Sequence, residues 1–481
     1  MDKKINIKII IIAAIVIVAL IFSAALFKLE ILGAGAILAV ALLTLLFLSV
    51  LKYPILGPTW ILLALPFERL LTVDMGGATV KPIHGVLVAV FIAWLILFVS
   101  GKINLKFPLP TVLAVIFWLV CLWSFSVSID PSRTILVLLY LLIAIIGFWL
   151  TIQLVRDIDD IKVLAMVLII TAAILALFGF YQFAGDIVGL PSSVTGIKPG
   201  YDKGTFGFPR IHATFLEPLY YANFLFVPFY LAVSYFLAGG IKGKLKWFWA
   251  LIISLLLLVS IVLTVARGAY IALIVSGLVL IIWQYRQFFK VKNLIVILSV
   301  FCLSAVLVLG FLNFSEPRAK DEFLAHIQLE DRTEGESVVS RVQAIDRALD
   351  AWYRAPVLGI GLGSYGLWEL EDRGEVHLAD YYPVVNNQYL ETLAETGVIG
   401  LIILSIFIIV IFWRSIKAWF ATSDTFLRAT LSGLTIGVLA IFIQYITFST
   451  IYIIYIWVFI GLLVAVQEII FRAKAKNRIE N

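Results

Sequence analysis

The chain has 481 residues, of which 63% are hydrophobic and 14% charged, with a formal net charge of +6. Soluble domains carry roughly 45–50% apolar and about 25% charged residues, so lipid, not water, must solvate most of this surface. The basic residues are scattered in small groups between apolar runs, which excludes a nucleic-acid-binding patch and fits the loops of a membrane protein.

The fold expected is an all-α polytopic membrane protein of about 14 transmembrane helices (range 12–14), each needing about 20 apolar residues. Lys3, Lys4 and Lys8 precede a first apolar run that no cleavage site follows, so it reads as an uncleaved helix near 9–27. Spans then fall near 31–51, 54–71, 83–100, 109–127, 134–155, 161–184 and 215–238. They continue near 246–265, 268–285, 292–313, 393–414, 426–447 and 449–471. Pro54, Pro58 and Pro66 interrupt the third. Cys121 and Cys302 lie inside apolar runs and read as packing residues.

Lysine and arginine choose the side. With the N-terminus inside, the even connections carry Lys52, Lys102, Lys106, Arg156, Lys162, Lys242, Lys244 and Lys246. Arg286, Lys290, Lys292, Arg414 and Lys417 follow, then the tail Arg472, Lys474, Lys476 and Arg478. Both termini are therefore expected in the cytoplasm of a bacterial plasma membrane, and the segments 185–214 and 314–392 outside. The chain divides into a membrane domain over 1–313 (spans 1–11 with outer loop 185–214), a large, partly helical extracytoplasmic loop over 314–392, and a second membrane portion over 393–481 with spans 12–14 and the basic tail.

Several polar residues stand out against that topology. Arg267 breaks the apolar pair 246–285 and is placed at the outer surface, where positive-inside bias disfavours an arginine. It is either a snorkelling anchor or a phosphate clamp, since guanidinium offers a planar fork of donors. Arg210 closes the first outer loop just before span 8 and reads in the same two ways; Glu217, at the mouth of that span, is a helix N-terminal carboxylate or a sugar ligand. In the large loop, Val342, Ile345, Leu349 and Trp352 recur at helical spacing, with Arg341 and Arg347 off the stripe. The glycines of Gly359-Ile360-Gly361-Leu362-Gly363-Ser364-Tyr365-Gly366 read as a tight turn, because no preceding strand or acidic partner supports a nucleotide loop. Asn386 and Asn387 precede a periodic apolar run as helix caps would. Glu391 and Glu395, four apart, share one helical face at the membrane surface.

The stretch from Ser340-Arg341 through Ala348-Leu349-Asp350-Ala351-Trp352, Ala355-Pro356-Val357-Leu358-Gly359 and Asn386-Asn387-Gln388-Tyr389-Leu390-Glu391 to Gly397 and Gly400 resembles the C-terminal signature of the O-antigen ligase and Wzy-type polymerase superfamily. Arg210 with Thr214-Phe215 and Pro218, and the Arg267-Gly268 hairpin, are similar as well. The resemblance implies transfer of glycan from an undecaprenyl-diphosphate carrier to an acceptor hydroxyl, in cell-surface polysaccharide biosynthesis. The donor is then a lipid-diphosphate-linked glycan, and the acceptor a glycan, lipid or protein; no nucleotide sugar, cofactor or metal is expected. It implies that Arg210, Arg267 and Arg341 hold the carrier diphosphate; beside that, Glu217 and Tyr389 are read from their placement as further candidate substrate contacts. One departure matters: where the family carries His-Asn, this chain carries Asn386-Asn387, and asparagine takes no proton at neutral pH. Candidates for the missing base are His377, His326, His212, Glu391 and Glu395, of which Glu391 is preferred, one turn along the same helix. The rival readings are a transporter or flippase of lipid-linked sugars, which would more often show inverted repeats and midplane charges, and a non-catalytic scaffold of an export complex.

Overall fold

The computed structural model describes residues 32–67, 72–75, 78–238, 244–284, 338–374 and 382–480, with isolated positions between 289 and 310. The expected spans near 9–27 and, almost entirely, 292–313 lie outside the described residues, as do His326 and His377.

The order of the main helices is α1 (Leu32–Lys52), α2 (Leu56–Ala64), α3 (Pro82–Val99), α4 (Leu109–Ser124), α5 (Pro131–Leu154), α6 (Ile158–Ile187), α7 (Pro218–Ala238), α8 (Lys244–Leu263) and α9 (Arg267–Trp283). After the large loop's α10 (Val338–Arg354) and α11 (Tyr365–Arg373) come α12 (Gln388–Ala421), α13 (Thr425–Gln444) and α14 (Ile454–Glu480). A short antiparallel hairpin, β1 (Val73–Met75) and β2 (Ala78–Val80), pairs Val73 with Val80. Among the described residues eight helices are long and apolar enough to cross a membrane, and four of the remaining expected spans coincide with shorter apolar helices. The proline-interrupted third is the shortest: α2 passes into a 3-10 turn, Leu65–Phe67. Its ends still reach opposite ends of its neighbours. Gly57 sits against Leu154, the last residue of α5, and the Pro66 carbonyl accepts from Thr214 Oγ1 at 2.5 Å, beyond the far end of α6.

Helices that are apolar all round belong in the centre of a membrane bundle. α7, α13 and α14 are buried along most of their length, whereas α3, α4 and α9 expose rows such as Val88, Ile92 and Val99, or Ile271, Ile274 and Ile282. Close approach of α13 to α7 rests on Gly433 and Gly437, four apart on one face: a Cβ at Gly437 would lie 2.6 Å from Val227 Cα. Buried amides add specificity, with Asn223 Nδ2 donating to Gln444 Oε1 at 2.6 Å and Tyr455 donating to Asn223 Oδ1 at 3.1 Å. Cys121 is buried and free in this packing, as read.

The described part of the large loop has its own small core of Ala348, Ala351, Ile360, Tyr365, Trp368, Val385 and Ala394. The amphipathic helix is present, but its buried face is rotated from the expected stripe. Ala348 and Ala351 are fully buried while Ile345 is 37% exposed, because alanines allow α10 to lie close on the start of α12. Glu369 accepts from both Arg347 and Arg373, and Arg354 pairs with Asp372 at 2.8 Å, tying α10 to α11.

Candidate active site

Two clusters form at one end of the bundle, where α5, α9, α12 and α14 begin and α6, α8 and α13 end. The first surrounds Arg210 and Arg267. The loop between α6 and α7 folds over this end as two single helical turns, Ser192–Thr195 and Lys203–Phe206, each closed by a glycine at positive φ. It then returns through Phe208 to Phe215, where the Ile211 N–H donates to the Leu263 carbonyl at 3.3 Å. This docks Arg210 on the α8–α9 turn: Nε donates to the Thr264 carbonyl at 3.3 Å and Nη2 to the Val265 carbonyl at 3.2 Å. The guanidinium also lies 5.6 Å from the Tyr201 ring centroid.

Val265 presents its carbonyl by adopting φ 50°, an expensive conformation for a β-branched residue. Two residues later the chain enters α9 at Arg267. Burial pulls the Arg210 pKa below its ordinary value, the nearby Arg267 charge acts in the same direction, and Tyr201, Tyr270 and Glu217 oppose it. Two guanidiniums therefore share one half-buried place, with the Glu217 carboxylate near Arg210. Such an arrangement favours binding an anion.

The second cluster is a cavity of about 30 Å³, room for roughly one water or hydroxyl. Its walls come from four separated stretches: Arg133 and Val137 of α5; Leu362, Gly363, Tyr365 and Gly366; Tyr382 to Val384 with Glu391 and Glu395; and Ile451 with Tyr452. The glycine-rich segment is the tight turn expected, and its alternating positive φ values (70° at Gly359, 102° at Gly361, 78° at Gly363) let it thread between helices. Its N–H groups have a specific task. α12 breaks at Gly397 (φ 66°), leaving carbonyls without helical partners, and Ile360 and Gly361 donate to those of Ala394 and Glu395, each at 3.0 Å. On the other side Thr134 Oγ1 donates to the Leu362 carbonyl at 2.6 Å. Glu391 and Glu395 are thereby held in place. Glu391 accepts from the Val385 N–H at 3.1 Å and Glu395 from the Tyr365 N–H at 3.2 Å. The Arg133 guanidinium sits 4.3 Å from the Tyr382 ring centroid.

The connection 445–453 joins the two clusters. Thr447 packs on Gly268, next to Arg267. The Gln388 N–H donates to the Tyr445 carbonyl at 2.8 Å, and Gln388 Oε1 accepts from Thr450 and Ile451 at 2.5 and 2.7 Å.

The other residues read from the sequence fall as follows. Asn387 is the N-cap of α12, its Oδ1 accepting from Tyr389 and Leu390 at 3.1 Å each. Asn386 precedes it at φ 55°. Tyr389 commits its hydroxyl to the Phe442 carbonyl at 2.7 Å. Arg341 lies in α10, with its side chain outside the described residues, as is all of His377. His212 is buried, and both ring nitrogens are engaged: Nδ1 donates to the Phe215 carbonyl at 3.1 Å and Nε2 accepts from the Lys198 N–H at 3.2 Å. Burial, then the Lys198 charge, pushes its pKa down to about 4, so it is neutral and structural. Sequence reasoning missed Arg133 and Tyr382. Arg133 carried a usable signal, since it stands in an odd-numbered connection otherwise poor in positive charge; Tyr382 carried none.

A polytopic helical membrane protein with a polar site at one end of its bundle is the class these features define. Residues 252–405, about a third of the chain, match the family model described as O-antigen ligase. The matched stretch holds Arg267, Arg341, Asn386, Asn387, Glu391 and Glu395; Arg133, Arg210 and Glu217 lie before it. A search of curated proteins returns no match.

Proposed function

We propose that this protein transfers a glycan from an undecaprenyl-diphosphate carrier to an acceptor hydroxyl at the outer face of the bacterial plasma membrane, in cell-surface polysaccharide biosynthesis. The observation that carries this reading is the pairing of Arg210 and Arg267 around a strained turn at the site end of the bundle. The acceptor oxygen bonds to the anomeric carbon, and the bond from that carbon to the diphosphate oxygen breaks. The electron pair leaves with the diphosphate. Negative charge grows on that leaving group, and guanidiniums already fixed in a water-poor place stabilise it without reorganising. Arg341 is the third candidate for the diphosphate, on the family resemblance alone. Glu217, beside Arg210, meets the sugar or orients the arginine.

The acceptor's proton needs a base. Asn386 has no basic group, Asn387 spends its oxygen on capping, and His212 is enclosed. Glu391 takes the role from the cavity it shares with Arg133 and Glu395.

The test is a reconstituted assay with lipid-diphosphate-linked glycan. Arg210→Ala and Arg267→Ala each lose at least about 100-fold in transfer while remaining folded and inserted; normal activity in both defeats the clamp. Glu391→Gln loses at least about 100-fold and His377→Ala less than about threefold; the reverse ranking moves the base to His377.

A further inference from the structure

The cavity between Arg133, Tyr382, Glu391, Glu395 and Tyr452 has a composition that a diphosphate clamp does not explain. Among the described residues the carboxyl groups of Glu391 and Glu395 stand beside the Arg133 guanidinium, a poor place for a phosphate but a good one for hydroxyl groups, whose protons carboxyl oxygens accept. The space admits one hydroxyl and no whole sugar ring, so a ring would rest at the mouth with a single hydroxyl inside. Tyr382 and Tyr452 both line the cavity. Tyr382 is held by Arg133 on one face, and Tyr452 lies 6.4 Å from Tyr140 in an aromatic row. Aromatic faces beside carboxylates suit the alternating C–H and O–H surfaces of a pyranose.

We propose that this cavity is the acceptor subsite, taking one hydroxyl of a neutral or amino sugar and rejecting a uronate ring, whose carboxylate would face Glu391 and Glu395. The inference rests on the glycan-transfer reading and adds the acceptor's chemical class to it. The donor diphosphate sits at Arg210 and Arg267, and the connection 445–453 sets the distance between the two subsites. Arg133 and Tyr382 become substrate-contacting residues for the acceptor.

The experiment uses full-length protein in nanodiscs and three simple probes: a methyl glucoside, a methyl glucosaminide and a methyl glucuronide. Binding is read by saturation-transfer NMR at tens of millimolar. The expected result is saturation of the first two probes and at least threefold less for the glucuronide. Tyr382→Ala weakens the glucoside about 3- to 10-fold, the range for losing one aromatic contact, and Arg210→Ala leaves it unchanged. Equal binding of the glucuronide, equal binding to Tyr382→Ala, loss of glucoside binding in Arg210→Ala, or no saturation of wild-type protein by any probe overturns the acceptor assignment. None of those results touches the donor clamp, which stands or falls on transfer by the Arg210→Ala and Arg267→Ala variants.

Discussion

Among the described residues, three without glycine's freedom adopt left-handed backbone: Ala213 (φ 49°), Val265 (φ 50°) and Asn386 (φ 55°). Each costs about 1–3 kcal/mol and persists only where its surroundings enforce it. Ala213 follows Arg210 by three residues, Val265 precedes Arg267 by two, and Asn386 adjoins the cap of the helix that bears Glu391. Strain is thus concentrated where the chemistry is proposed. His212 illustrates the opposite use of a polar residue. Its neutral ring accepts from the Lys198 N–H, so protonation would set two donors against each other. Because its pKa is lowered to about 4 from an ordinary 6.5, the stability it contributes is present above pH 6.5 and is lost as pH falls through 4. Thermal unfolding of the wild type in detergent should drop across that window, and His212→Gln should remove that part of the drop; identical pH profiles refute the assignment. At this scale Arg267 stands out in the sequence because an arginine on the wrong side of a positive-inside pattern is conspicuous, and Arg210 because it closes an outer loop just before a span. Arg133 met the same criterion and was passed over. The burial of His212 was not legible, since it depends on how the loop 185–214 folds over the bundle.

α12 shows how much of an element a hydropathy pattern conveys. The apolar run marks the span near 393–414, but the helix starts at Gln388 and breaks at Gly397. The segment before the break belongs to the polar site, and the segment after it exposes Ile402, Ile406 and Ile409. A Cβ at Gly397 would collide with the Val357 carbonyl, and the backbone there requires positive φ. Gly397→Ala should destabilise the protein by at least about 2 kcal/mol, seen as a lower unfolding midpoint in detergent. Ile402→Ala on the exposed face should leave the midpoint unchanged. An unperturbed Gly397→Ala would mean that the break does not position Glu391 and Glu395. The stripe on α10 was read from apolar size, yet alanines face the core. Periodicity gives the helix, but the neighbour's distance decides which face is buried.

Across the whole molecule, the helical membrane architecture was legible from composition and run length. The cavity was not: its walls come from residues near 133, 363, 383, 391 and 451, and no local pattern predicts their convergence. Both clusters open at one end of the bundle, so a single sidedness governs both. The most direct test is cysteine accessibility in intact cells. Gln343→Cys on α10 and Lys476→Cys in the tail both occupy exposed positions, and Cys121 is buried. With a membrane-impermeant maleimide, and unsubstituted protein as control, the cysteine at 343 should label in intact cells and that at 476 only after permeabilisation. Labelling of 476 with protection of 343 would put Arg210, Arg267 and the cavity on the cytoplasmic side, and the proposed reaction could not occur at the outer face.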